Sequence, residues 1–136
     1  MIKLNGMQHI GVYLIDAKAA ADWYEKNLGF RRVATFTTSG GNEVIFIRSD
    51  AIGTTYELVG QVPGTPGYEA VKNGKALIDH IAYTVDSVEA AYEQAKRDGL
   101  EIITEITDIP EFWDNGFRYF MVKGPCGEKV ELCKIL

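Results

Sequence analysis

A chain of 136 residues, 46% hydrophobic and 24% charged, has the balance of an ordinary globular protein, long enough for one compact unit or two small modules. Its formal charge of −5, with Lys and Arg scattered rather than gathered into a stripe, argues against a nucleic-acid binder. No apolar run approaches the ~20 residues that cross a bilayer, and Met1-Ile2-Lys3-Leu4-Asn5-Gly6 carries no signal-like apolar stretch, so no membrane association and a cytoplasmic location are expected.

In chain order, the first element is a strand-like run, Gln8-His9-Ile10-Gly11-Val12-Tyr13. Asp16 is a good N-cap for the helix that follows, whose apolar stripe is Ala17, Ala20, Ala21 and Tyr24, at the i, i+3, i+4, i+7 spacing of one helical face. Leu28-Gly29-Phe30 predicts a left-handed glycine cap at its end. Strands are expected over about 32–38, 43–48 and 55–59, with Ser39-Gly40-Gly41-Asn42 turning between the first two. Residues 61–77 read as a linker: Pro63-Gly64-Thr65-Pro66-Gly67 marks a loop, with a short helical turn near Tyr68 to Lys72.

The chain then starts again. Asp79-His80-Ile81-Ala82-Tyr83-Thr84 lies over the first strand with His in the same place. Asp86, with Glu89 three residues on, predicts a capping box for a second helix. Its stripe Val88, Ala91, Tyr92 and Ala95 repeats the first, and Asp98-Gly99-Leu100 closes it. Strands follow over about 101–107, 117–122 and 129–135, and Ile52-Gly53-Thr54-Thr55-Tyr56-Glu57-Leu58 aligns with Cys126-Gly127-Glu128-Lys129-Val130-Glu131-Leu132. Cys126 and Cys133 have neither redox nor zinc-ribbon spacing, so both are expected reduced, with Cys133 a core thiol.

Each half is thus β-α-β-β-β. The expected fold class is α+β: tandem βαβββ modules forming a curved mixed sheet, one domain over 1–136 with module 1 at 1–60, the linker at 61–77 and module 2 at 78–136. A βαβββ unit leaves one sheet face and both edges uncovered, so the modules are expected to pair.

Strand alternation separates the side chains. Ile10, Val12 and Leu14 form one row and Ile81, Tyr83 and Val85 its counterpart, so His9 and His80 face away from the helix-packing rows. Glu57, between Tyr56 and Leu58, and Glu131, between Val130 and Leu132, are out of register with those rows too. A lone strand histidine is more often a hydrogen-bonding partner than a ligand, and a lone strand glutamate is mostly solvated. Here the chain's two histidines occupy equivalent repeat positions, as do the two glutamates, and the two His-to-Glu separations nearly match. His9, Glu57, His80 and Glu131 therefore form a candidate metal set, and two imidazoles with two carboxylates suit Zn, Ni, Co, Mn or Fe(II).

On Gln8-His9-Ile10-Gly11-Val12, Trp23-Tyr24 through Leu28-Gly29-Phe30, Tyr56-Glu57-Leu58, Asp79-His80-Ile81-Ala82 and Gly124-Pro125-Cys126-Gly127 leading to Val130-Glu131-Leu132, the sequence resembles the vicinal-oxygen-chelate superfamily. That group contains glyoxalase I, methylmalonyl-CoA epimerase, extradiol dioxygenases and fosfomycin- or bleomycin-resistance proteins. The resemblance spans essentially the whole chain and implies paired modules forming a metal-binding cleft, within one chain or across a homodimer, with a small-molecule substrate.

The His, Glu, His, Glu set looks like that of glyoxalase I, implying a metal-dependent lyase or isomerase (lactoylglutathione lyase type) that works through a metal-stabilised enediolate. One ligand glutamate then serves as the base: Glu131 is favoured because the Gly124 to Gly127 turn anchors its strand, with Glu57 the rival. The alternatives are an epimerase of the methylmalonyl-CoA or sugar type, or a non-catalytic drug- or ligand-binding resistance protein. Methylmalonyl-CoA epimerases usually carry glutamine at the place of Glu57, and ring-cleaving dioxygenases pair one carboxylate with two histidines. Glyoxalase I holds glutathione carboxylates with basic residues. Arg31 and Arg32 are candidates for that role or simply a solvated strand start, and Trp113 either walls a substrate pocket or staples a hairpin.

Overall fold

The computed structural model describes residues 1–74, 78–123 and 129–136. The elements run β1 (Gly6–Leu14), α1 (Ala17–Leu28), β2 (Arg31–Thr37), β3 (Glu43–Ser49), β4 (Thr54–Gly60), α2 (Pro66–Lys72), β5 (Ile78–Thr84), α3 (Val88–Arg97), β6 (Ile102–Ile109), β7 (Phe117–Lys123) and β8 (Lys129–Ile135). The α+β class and the repeated β-α-β-β-β order are those expected. The Gly124 to Gly127 turn and Cys126 lie outside the described residues. Among the described residues, no helix is long and apolar enough to cross a membrane.

The chain divides into two compact units, one of His9–Asp79 and one of Met1–Gln8 with His80–Leu136. In the first, the strand order is β2-β3-β4-β1. β1 runs parallel to β4, with Gly11 opposite Glu57, while β2-β3 and β3-β4 are antiparallel. Helix α1 starts where the sequence signals it: the Asp16 carboxylate accepts from the Ala19 N–H at 2.8 Å. It stops at Gly29, whose φ of 69° is a conformation that a Cβ would penalise. Its buried face, Ala17 and Ala21, packs on Ile45, Ile47 and Leu58 with Phe30, while Val12, Leu14, Tyr24 and Tyr56 close the edges. Small alanines let the helix axis approach the sheet, and aromatic rings fill the periphery: Tyr24, Phe30 and Tyr56 meet at centroid distances of 5.2–5.6 Å.

The second unit repeats this plan. Its order is β5-β8-β7-β6, with β5 parallel to β8 and the other pairs antiparallel. α3 buries Val88, Ala91 and Ala95 against Val85, Phe120, Val122 and Leu132. Burying a Leu side chain such as Leu132 in this way is worth roughly 1.5–3 kcal/mol. The helix ends in a Schellman arrangement, with Leu100 N–H on Ala95 C=O at 2.9 Å and Gly99 N–H on Lys96 C=O at 3.1 Å.

Its start departs from expectation. Ser87, not Asp86, is the N-cap, its hydroxyl accepting from the Ala90 N–H at 3.2 Å. The Asp86 carboxylate is engaged elsewhere, accepting from Asn5 Nδ2 at 2.6 Å, and its carbonyl accepts from Lys134 Nζ. Glu89 does not reach back as a capping box would: it accepts from the Ser87 hydroxyl and from Arg118. The leading segment carries the Asn5 side chain to Asp86, donates its Asn5 N–H to Thr84 C=O at 2.8 Å and packs Ile2 on the α3 core.

Candidate metal centre

In both units the helix covers one sheet face, and the buried histidine and glutamate sit on the other. Val12 and Leu14 of β1, Ile45 and Ile47 of β3, and Tyr56 and Leu58 of β4 all belong to the α1 core. Period-two alternation therefore turns His9, Phe46 and Glu57 to the opposite face. The contacts agree: His9 Nε2 lies 3.3 Å from Glu57 Oε2, and the His9 ring meets Phe46 edge-on at 5.4 Å. In the second unit Tyr83, Val130, Leu132, Phe120 and Val122 belong to the α3 core, and His80 and Glu131 face the other way with His80 Nε2 3.4 Å from Glu131 Oε2.

All four groups are buried: His9 is 1% exposed, Glu57 7%, His80 5% and Glu131 3%. A buried carboxylate is costly unless a cation or several donors offset it, and a neutral imidazole brings no charge. The pair distances of 3.3 and 3.4 Å are longer than the usual 2.9–3.0 Å of a direct N–H···O bond. They match two atoms ligating one ion: with bonds of about 2.0–2.2 Å, neighbouring ligand atoms stand about 3.0–3.4 Å apart in octahedral or tetrahedral geometry. Each pair, one imidazole nitrogen with one carboxylate oxygen, fits a borderline divalent ion such as Zn, Ni, Co, Mn or Fe(II).

The remaining sequence candidates fall in different places. Arg32 lies on the helix-covered face, bound to Asp22 and Glu25 of α1. Its pKa is raised by those carboxylates, the Asp22 hydrogen bond foremost. Arg31 pairs with Asp50 at 2.8 Å, and Arg48 adds a second contact to the same carboxylate, holding Asp50 below the usual carboxylate range. Trp113 sits in the β6–β7 connection with its ring 5.5 Å from Phe117 and 5.8 Å from Phe112, which is itself buried. Its backbone is left-handed, φ 52°, an uncommon conformation for a bulky residue.

Two neighbours of the second pair were not singled out from sequence. Met121 stands directly opposite Glu131 in the β7–β8 register, and Tyr119 opposite Cys133. Pairing the two last predicted strands as a hairpin would have exposed both, since the register follows from their shared helix-packing rows. In the first unit Phe46, opposite Glu57 in the β3–β4 register, was missed for the same reason.

Comparison with known proteins agrees with this picture. The chain is 32% identical over 128 residues to the uncharacterized protein YwbC of Bacillus subtilis, covering 92% of this chain and 94% of that one. It is 29% identical over 112 residues to 4-hydroxyphenylpyruvate dioxygenase of Yarrowia lipolytica, covering 74% of this chain but only 27% of the dioxygenase. Among solved structures, methylmalonyl-CoA epimerase from Mycobacterium tuberculosis superposes with a TM-score of 0.78 at 18% identity, over 100% of this chain and 91% of the other, a likeness of fold. The sequence model of the Glyoxalase/Bleomycin resistance protein/Dioxygenase superfamily matches residues 6–132, and the chain belongs to that superfamily.

Proposed function

We propose that the protein is a divalent-metal-dependent enzyme that moves a proton at a carbon next to a carbonyl, a lyase or isomerase of the glyoxalase I kind. The observation that carries this is the duplicated buried pair: His9 with Glu57 and His80 with Glu131, at nearly equal distances. In this reading the four residues hold one ion between them. When bound, that ion supplies Lewis-acid polarisation of a substrate oxygen, which acidifies the neighbouring C–H. The chain's own carboxylates then handle the proton. Glu131 takes it from one carbon and returns it to the next, and burial keeps bulk water from competing for it. In this reading Glu57, 3.3 Å from His9 Nε2, adds a second carboxylate to the two histidines and Glu131, which the two-His, one-carboxylate arrangement suited to oxygen chemistry does not have; dioxygenases are among the chain's relatives.

The equality of the two pairs also supports a second reading, an epimerase. Exchange of a proton on both faces of a carbon needs an acid–base group on each side, and Glu57 and Glu131 would supply one apiece. Methylmalonyl-CoA epimerase shares the fold. The enzyme is expected to work on a small molecule, as a cytoplasmic homodimer.

A substrate panel decides between the two. The glyoxalase reading expects turnover of the methylglyoxal–glutathione hemithioacetal that rises on adding Ni or Co. Activity confined to an acyl-CoA or a sugar would establish the epimerase or isomerase reading instead, and no turnover of any of these under any metal would overturn both.

A further inference from the structure

The face of the second unit that carries Glu131 continues into a wall of aromatic side chains that the metal reading does not use. Along β7, Arg118, Phe120 and Val122 turn to the helix side: Phe120 and Val122 lie in the α3 core, and Arg118 reaches Glu89. Phe117, Tyr119 and Met121 therefore turn to the side of Glu131. Met121 is opposite Glu131, Tyr119 one pleat further along, and Phe117 beyond that. The Phe117 and Tyr119 rings stack at 6.1 Å and 28°, and Trp113 extends the row against Phe117 at 5.5 Å and 36°.

Phe117 is buried, whereas Met121, Tyr119 and Trp113 are only half-buried, so the wall presents an accessible apolar surface. Strand geometry places Tyr119 about 7 Å along the strand from the residue facing Glu131, two residues at about 3.4 Å each. That is within reach of a ring attached directly to a carbonyl carbon held at Glu131. Trp113 keeps its left-handed backbone in the loop that completes this row, and strain of this kind clusters at binding sites. Every arginine on a described strand, Arg31, Arg32, Arg48 and Arg118, is in an ion pair with Asp or Glu.

We infer that the substrate is an aryl-substituted α-hydroxy- or α-oxocarbonyl compound, its ring seated on Met121 and Tyr119 and bordered by Trp113. This rests on the proposed function, in that Glu131 marks the reacting end. Aromatic stacking is worth about 0.5–1.5 kcal/mol beyond burial, and each 1.4 kcal/mol is tenfold in affinity.

The test uses phenylglyoxylate and pyruvate as matched probes on Ni-loaded protein. Since the chain has two tryptophans, Trp23→Phe makes Trp113 the sole reporter, and Trp23 lies on exposed α1 surface. Phenylglyoxylate is expected to change Trp113 emission and to bind at least about tenfold tighter than pyruvate. Tyr119→Ala should erase that preference while leaving pyruvate affinity unchanged, and Tyr119→Phe should restore it. Equal affinities, a silent Trp113, or a preference that survives Tyr119→Ala would overturn the inference. Metal content measured on the same samples separates it from the functional reading. Loaded protein without aryl preference sinks the wall alone. Aryl preference in protein that binds no metal upholds the wall and sinks the metal reading.

Discussion

The two units carry the same buried pair in different settings. In His9–Asp79, the imidazole of His9 is flanked edge-on by Phe46, and Phe46 by Phe36 at 6.1 Å, while the exposed end of the sheet is occupied by the Arg31, Arg48 and Asp50 cluster. In the other unit Glu131 faces Met121, and the row runs on into half-buried Tyr119 and Trp113. The helix sides are closer in kind: Tyr24 and Tyr56 edge the first core beside Phe30, and Tyr83 and Tyr92 edge the second around Phe120, joined there by Ile2, Ile102 and Val130. What the duplication keeps is the pair itself, at 3.3 and 3.4 Å, and what it varies is the surroundings. The unvaried part is the candidate metal-ligating pair of each unit, and the varied part is what surrounds it.

The largest expected effect follows from that difference. Glutamine keeps a carbonyl oxygen for a metal but cannot act as a base near neutral pH. Glu131→Gln should keep much of the metal and lose turnover by roughly 10²–10⁴, the usual worth of a general base, while Glu57→Gln is milder. Single-turnover kinetics alongside metal content measures both. Matching heavy losses in the two variants would make the units equivalent and favour epimerisation.

The helix starts give a smaller contrast. Asp16→Ala removes the α1 cap and Ser87→Ala the α3 cap, each costing about 1 kcal/mol in urea unfolding. Asp86→Ala should leave the α3 cap intact and act instead through Asn5 and the leading segment, which hydrogen exchange at Asn5 would register.

The smallest effect concerns the clamps that each unit builds on its helix side, Arg32 with Asp22 and Glu25, and Arg118 with Asp108 and Glu89. Hydrogen bonding to Arg118 holds the Asp108 carboxyl below its ordinary range. Glu89 is lowered by its own backbone hydrogen bond first and by Arg118 next. A lowered folded pKa means stability that is present above the ordinary carboxylate range and lost as pH falls through the depressed folded values. Arg118→Gln should therefore cost little at neutral pH, less in high salt, and nothing at a pH where both carboxylates are protonated. A melting-temperature profile against pH reads this directly.

Much of the fold was legible because it is written twice. The His-led strands, the alanine-rich helix stripes and the closing glycines each had a counterpart, so a weak local signal was confirmed by its copy. The shift of the second cap from Asp86 to Ser87 was not legible: both residues can cap, and the Asp86 carboxylate is engaged instead by Asn5, distant in sequence. The candidate ligands were legible from their facing, since being out of register with a core row is a property of alternation alone. Phe46, Met121 and Tyr119 were hidden because each is defined by a cross-strand register, which one strand read by itself does not contain. Arg31 and Arg32 show the converse limit, for their carboxylate partners lie on other elements.

The central claim is that the two pairs act together on one ion, and metal analysis of protein purified without chelator tests it most directly. The expected result is about one divalent ion per chain, much reduced by His9→Ala or by His80→Ala alone and absent when both are replaced, with the fold intact by circular dichroism. Stoichiometric metal that survives the double replacement, or a full complement retained after either single one, would contradict it.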